Sequence, residues 1–227
     1  MGILYSVATP IGNLEDITYR AVHILQSVQL ILCEDTRVTK RLADRYTIKT
    51  PLKHYDQFTL PGALQGLIQR LLDGSDIALV TDAGTPGISD PGSRLVQAAL
   101  AAQITVCPIP GPSACIAALQ ASGVDSSEFI FLGFLPHKHG RQTMLAQIVQ
   151  ETRTVIVYES PHRLLKTLAA LRTSNKYIVV ARELTKIYEE FVRGSAEAIY
   201  ENFSKRSAIK GEFVLIISCQ PGRPPVL

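Results

Sequence analysis

Tryptophan is absent from this chain, methionine occurs twice, and aromatic residues make up only 7% of it. Aliphatic packing must therefore carry the interior, since few large rings are there to fill it. Charge is sparse too, at 19% against 46% hydrophobic residues. That balance excludes a disordered chain and allows one large domain or two of about 110 residues each. Cysteine is confined to Cys33, Cys107, Cys115 and Cys219. No two of them have the spacing of a zinc knuckle, and their surroundings are apolar and strand-like. They read as reduced, small core residues, and no metal site is expected. No apolar run approaches the roughly 18 residues of a membrane span. The first residues lack the basic region of a signal peptide, so the expectation is a cytoplasmic protein with no membrane partner.

Signature motifs are missing as well. No G-x-G-x-x-G follows the first apolar run, no G-x-x-x-x-G-K-[ST] occurs, and neither does H-E-x-x-H. These absences exclude a dinucleotide fingerprint, a P-loop and a zincin. A serine elbow and a Cys/His pair are also lacking, so the chemistry depends on positioning more than on a nucleophilic side chain.

What is present is alternation. Strands are expected at Ile3 to Ala8, Val28 to Cys33, Ile77 to Thr81 and Ile104 to Ile109. Helices are expected between them, ending near Ser27 and spanning Arg37 to Tyr46, Pro61 to Leu72 and Pro91 to Ala102. Repeated strand–helix–strand order implies a mainly parallel sheet. The second half has shorter connections near its end, over Tyr177 to Arg182, Glu189 to Gly194 and Glu212 to Ser218, so hairpins and a mixed sheet are expected. The Pro-rich segment Pro108 to Pro112 marks a boundary between an α/β domain over 1–110 and a second over 111–227. The tail from Pro221 to Leu227 is expected to be mobile.

Three Gly/Pro loops fall at the carboxyl ends of strands, where α/β sheets bind ligands. They are Thr9 to Leu14, Thr81 to Gly92 and Pro108 to Ala114. Glycine lets backbone approach a ligand, and proline holds the flanking turns in advance. Any one of them is equally well an ordinary strand-to-helix turn; three in one chain favour a site for a small ligand with amino-acid and nucleoside parts. Methyl transfer from an already activated sulfonium donor fits a site built for positioning.

Charge distribution points to the acceptor. Arg37, Lys40, Arg41, Arg45, Lys49 and Lys53 stand against the single acid Asp44. A second run holds His162, Arg163, Lys166, Arg172 and Lys176, and a turn holds His137, Lys138, His139 and Arg141. Such clusters bind phosphate backbones, and Tyr46, Tyr55, Phe58 and Tyr158 offer rings for base stacking; a solvated helix face is the other reading. The segments ending in Glu159 and in Arg182-Glu183-Leu184-Thr185-Lys186 also close strands. Lys186 could accept a hydroxyl proton if burial depressed its pKa, and Glu183, Asp35 or Glu189 could do so otherwise. An ion-pair network explains each equally well.

Five segments resemble one family. They are Val7 to Leu14, Cys33-Glu34-Asp35-Thr36-Arg37, Thr81 to Gly92, Tyr158-Glu159-Ser160-Pro161-His162-Arg163 and Arg182 to Lys186. Together they resemble the ribosomal RNA small subunit methyltransferase I family, whose members share the tetrapyrrole-methylase fold. The resemblance implies two α/β domains with a cleft for S-adenosylmethionine (SAM) between them. It further implies 2′-O-methylation of a cytidine in the decoding region of 16S ribosomal RNA, by a homodimer in a bacterial cytoplasm. Matching by motif, Pro10, Asp82, Ala83, Gly84, Pro86, Pro110, Gly111, Pro112, Ser113 and Ala114 would line the donor site. Lys186, Glu183, Asp35 and Arg37 are the catalytic candidates. Tyr188 stands where the family usually has His, and many members continue beyond the point where this chain stops. A SAM methyltransferase of a tetrapyrrole or other small molecule, and a non-catalytic RNA- or ribosome-binding protein, are the competing readings.

Overall fold

The computed structural model describes residues 1–90 and 92–219. Pro91, expected to open a helix, and the tail from Pro221 lie outside them. The chain divides into two units, Met1–Ser113 and Ala114–Leu227.

The first unit is built on five parallel strands: β1 (Ile3–Val7), β2 (Leu30–Cys33), β3 (Leu52–His54), β4 (Ile77–Leu79) and β5 (Thr105–Ile109). Their order is β3-β2-β4-β1-β5. Alternating strand residues bury in opposite directions. Val7, Ile31, Ala78 and Val80 pack under α1 (Tyr19–Ser27) and α2 (Thr36–Arg45) through Ala21, Leu25, Leu42 and Ala43. Leu4, Leu32, Ile77 and Leu79 face α3 (Pro61–Leu72) and α4 (Ser93–Ala101) through Leu67, Leu71, Leu95 and Ala99. The neighbouring strands β1 and β4 thus send their following helices to opposite faces, which makes their carboxyl ends the switch point of the sheet. Thr18 caps α1, accepting a bond from Ala21 N. β3 was not expected; it has three residues, two of them the exposed Lys53 and His54.

The second unit is mixed, as its hairpin-length connections suggest. Its strands are β6 (Phe129–Phe134), β7 (Thr154–Glu159), β8 (Tyr177–Arg182), β9 (Glu190–Ser195) and β10 (Phe213–Ser218), in the order β6-β7-β10-β8-β9. β6 and β7 are parallel, and β10 runs antiparallel to both of its neighbours. One face is covered by α6 (Arg141–Gln150), α7 (Pro161–Leu171) and α8 (Ala196–Ser204), through Leu145, Leu164, Leu168, Ile199 and Phe203. On this sheet α5 (Ala114–Gln120) packs against β7 and β10. The central strand β10 is buried along its whole length, as a strand with neighbours on both edges and both faces must be.

None of the four cysteines forms a disulfide, and Cys33 and Cys115 are buried as expected; Cys219, however, is exposed just past the end of β10. Among the described residues no helix is long and apolar enough to cross a membrane, and no three His, Cys, Asp or Glu side chains converge as a metal site would need.

Candidate functional site

The three Gly/Pro loops of the first unit are tied to one another by hydrogen bonds. Thr9, just past β1, exchanges backbone bonds with Gly84, with Thr9 N to Gly84 O at 2.9 Å and Gly84 N to Thr9 O at 3.0 Å. The Thr9 hydroxyl donates to the Thr81 carbonyl at 3.0 Å, and the Thr85 hydroxyl donates to the Pro112 carbonyl at 3.0 Å. Gly84 has φ of +89°, a left-handed conformation that any residue with a Cβ adopts at a cost. Gly111 serves by size instead: a Cβ there would stand 3.0 Å from the Ala8 Cβ. Asp90 closes the long loop, accepting from Gly87 N at 2.6 Å and Gly92 N at 3.0 Å.

The anchors of these loops are buried and their middles are open. Thr9, Pro10, Thr81, Gly84 and Pro86 are shielded from solvent, whereas Asp82, Ala83, Pro110 and Gly111 are exposed along the carboxyl edge of the sheet. The loops are therefore braced by their mutual bonds, and present backbone groups and one carboxylate outward. That donor set suits SAM, whose ammonium, ribose hydroxyls and adenine edge pair with carboxylate and backbone groups.

The loop after β2 joins this edge. The Thr81 hydroxyl donates to Glu34 Oε1 at 2.7 Å, and Asp35 N donates to Asp82 Oδ1 at 3.0 Å. Asp35 caps α2 and pairs with Arg37 at 2.6 Å. That guanidinium, helped by backbone bonds, holds the Asp35 carboxyl down to about 2, so it is a weak proton acceptor. The Arg37 side chain is 87% exposed and available to a large polyanionic partner. Glu34 is different. Burial pushes its carboxyl up, as do the nearby charges of Asp90, Asp82 and Asp56, and the Thr81 bond offsets only part of the rise.

In the second unit, Glu183 and Lys186 lie in a loop held by unusual backbone, with φ of +50° at Glu183 and +64° at Thr185. Lys186 Nζ sits 3.0 Å from Glu183 Oε1 and 2.9 Å from Glu212 Oε2. Burial lowers the pKa of Lys186, but these two carboxylates outweigh it and leave the value raised. The depressed pKa that a lysine base needs is thus reversed: at neutral pH Lys186 is a held cation, and it loses its proton only above the ordinary lysine range. Glu183 keeps its carboxylate low; burial opposes this, but the Glu212 N–H and Lys186 prevail. Glu189 accepts from Thr185 N at 2.6 Å and pins the same loop.

Several residues expected at an RNA face are interior. Tyr55 is 2% exposed within the first unit's core, and Lys176 is buried with its ammonium on the Glu151 carbonyl. Arg141 is buried too, 3.0 Å from Glu159 Oε2, while Arg163 reaches Glu159 Oε1 at 2.9 Å and Thr167 donates to the same carboxylate. Both arginines also donate to carbonyls of the chain leading into the basic turn, Arg163 to Leu135 and Arg141 to Pro136. His137, Lys138, His139, His162, Lys166 and Phe58 do stand exposed. The sequence pattern does not distinguish Glu34 from its neighbour Asp35; the feature that does, its bond to Thr81, spans 47 residues of sequence.

The family model described as Tetrapyrrole (Corrin/Porphyrin) Methylases matches residues 3–200. Solved structures of the same fold include diphthine synthase, at a TM-score of 0.74 and 12% identity, covering 96% of this chain and 90% of that one. Another is the native form of uroporphyrin III C-methyltransferase from Thermus thermophilus, at 0.66 and 15%, covering 96% and 97%. Fold and family model define a methyltransferase of the tetrapyrrole methylase class, with SAM as methyl donor. Proteins named ribosomal RNA small subunit methyltransferase I are much nearer in sequence. That from Synechocystis sp. is 51% identical over 222 residues, 96% of this chain and 79% of its own length. That from Thermotoga maritima is 41% identical over 96% of this chain and 99% of its own length. Within the tetrapyrrole methylase class, the chain belongs to the ribosomal RNA small subunit methyltransferase I family.

Proposed function

We propose that the chain methylates the ribose 2′-hydroxyl of a cytidine in the decoding region of 16S ribosomal RNA, on naked RNA or the small ribosomal subunit. The observation that carries this reading is the set of interlocked loops at the β1/β4 switch point, in a chain 51% identical to a relative named for the small-subunit RNA. Asp82, Ala83, Gly84 and Pro86, with Pro10 and the Pro110, Gly111, Pro112, Ser113 and Ala114 segment, hold the donor. SAM supplies an electrophilic methyl group on a sulfonium that needs no further activation. The exposed carboxylate of Asp82, fixed by Asp35 N, orients the donor's polar groups, and the pinned loops spare the ordering cost of binding. Arg37, Lys40, Arg41, Lys49 and Lys53 receive phosphates on the same unit. Among the catalytic candidates, Lys186 acts as a cation and Glu183 as its anchor. Asp35 and Arg37 shape the edge.

The test is transfer of a labelled methyl group from SAM to unmethylated small subunits and to free rRNA, with mapping of the labelled nucleotide. Label on a single cytidine ribose supports the proposal; no transfer to either substrate overturns it, and transfer to a tetrapyrrole would favour the small-molecule reading. Asp82→Ala is expected to weaken SAM binding about 10- to 100-fold by calorimetry, the loss of one or two charge-assisted bonds. The functional unit is proposed as a homodimer, for which the exposed Ile187, Tyr188 and Phe134 supply apolar surface. A single-chain mass by light scattering would overturn that part alone.

A further inference from the structure

The methyl-transfer reading leaves the hydroxyl proton without a destination. Asp35 and Lys186 are poorly suited to receive it: Asp35 is held down by Arg37, and Lys186 is held protonated by Glu183 and Glu212. One other group fits by position. Glu34 closes β2 at the same carboxyl edge as the donor loop, and its Oε1 is fixed by the Thr81 hydroxyl, the residue immediately before Asp82. Its main chain is held as well: the Glu34 carbonyl meets His54 Nδ1 at 2.6 Å, and Asp35 N binds Asp82. The carboxylate is thus held by Thr81, and the backbone around it by two neighbouring segments of the same unit, the loop after β4 and the end of β3. The nearby like charges of Asp90, Asp82 and Asp56 add to burial in raising its pKa.

Resting on the methyl-transfer reading above, we infer that Glu34 is the proton acceptor for the substrate hydroxyl. The acceptor oxygen forms its bond to the methyl carbon with a lone pair. The electrons of the broken carbon–sulfur bond remain on the donor sulfur, neutralising it, and the hydroxyl proton passes to the Glu34 carboxylate. The proton then leaves to water when product departs. A carboxyl in repulsive, half-buried surroundings is a better acceptor than one at the ordinary value, because proton affinity rises with pKa. The local geometry keeps these acids close: Asp82 accepts from Asp35 N and Asp90 from Gly87 N, so both carboxyls are fixed beside this edge. His54 bridges the Glu34 carbonyl and the Asp56 carboxylate, 3.2 Å away, and its protonation would act in the opposite direction.

Three measurements test this on the full chain. In the SAM-free protein, the Glu34 carboxyl carbon should titrate above the ordinary glutamate range, and higher still in Thr81→Val, which removes a bond that favours its charged form. In single-turnover transfer to the small subunit, the rate should fall with acidity along a limb set by Glu34. That limb should disappear in Glu34→Gln, with a rate loss of about 100-fold or more at neutral pH and SAM affinity within a few-fold. Glu34→Asp should restore part of the rate, with a limb at lower pH. A Glu34→Gln enzyme that keeps both rate and acid limb overturns the inference while leaving the methyl-transfer reading standing. Should Glu34→Gln not fold, an acid limb that does not shift in Thr81→Val overturns it just as well. Absence of transfer by the unaltered chain overturns both readings.

Discussion

At the scale of single residues, the second unit keeps a carboxylate almost without solvent. Glu159 has no exposed side-chain surface, and it survives there because Arg141, Arg163, Thr167 and Ser160 N all bind it. Removing one cation leaves a buried charge with fewer partners, which is where such pairs show their energetic weight. Arg141→Met is expected to cost about 3–5 kcal/mol in denaturant unfolding. It should also loosen the basic turn, since the Pro136 carbonyl loses its donor. A midpoint unchanged from the parent would show that Arg163 alone suffices.

Among the elements, α1 shows how local chemistry sets a boundary. Thr18 has extended backbone and its hydroxyl takes Ala21 N, so the chain turns cleanly from the first Gly/Pro loop into the helix. Thr18→Ala should lower stability by about 1 kcal/mol, a shift of roughly 2–4 °C in Tm at this chain length. Calorimetry of the variant checks it. The longer helices and apolar strands were legible in sequence because their periodicity repeats over several turns or alternations. β3 was not: three residues with an exposed Lys53 and His54 offer no pattern, and only pairing with β2 makes them a strand. The same limit applied to the site. Its glycines and prolines stand together in sequence and could be read there, since each loop is a local event. Arg141, Lys176 and Tyr55 could not. They look like surface groups until Glu159, 18 residues from Arg141, or the Glu151 carbonyl, 25 residues from Lys176, is brought beside them. Glu34 carries no local signal for the same reason, as its bonding partner comes two strands later.

For the whole molecule, a net charge of +3 understates the surface available to an anionic partner, because local grouping matters more than the sum. With Arg141 and Lys176 inside, the densest run of outward cations lies on and after α2, where Arg37, Lys40, Arg41, Arg45, Lys49 and Lys53 are exposed. Lys40 and Arg37 already have carboxylate partners in Asp44 and Asp35, and these are exposed pairs that phosphate can compete with. If about four to six phosphates are contacted, affinity for the RNA substrate should drop about 50- to 300-fold between 50 and 200 mM salt. Filter binding across that range measures the slope. Indifference to salt would mean that these residues are a solvated face and nothing more.

The mutual bonds of Thr9 and Gly84 have a consequence for motion. Each amide is held by the other residue's carbonyl, so neither can exchange its hydrogen with solvent unless both loops part at once. The two should therefore exchange at a common rate, through one shared opening event. A ligand seated on the Asp82 side alone should slow exchange at Thr9 as well, even though more than 70 residues of chain lie between them. In deuterium uptake, the mouth of this sheet would behave as one body.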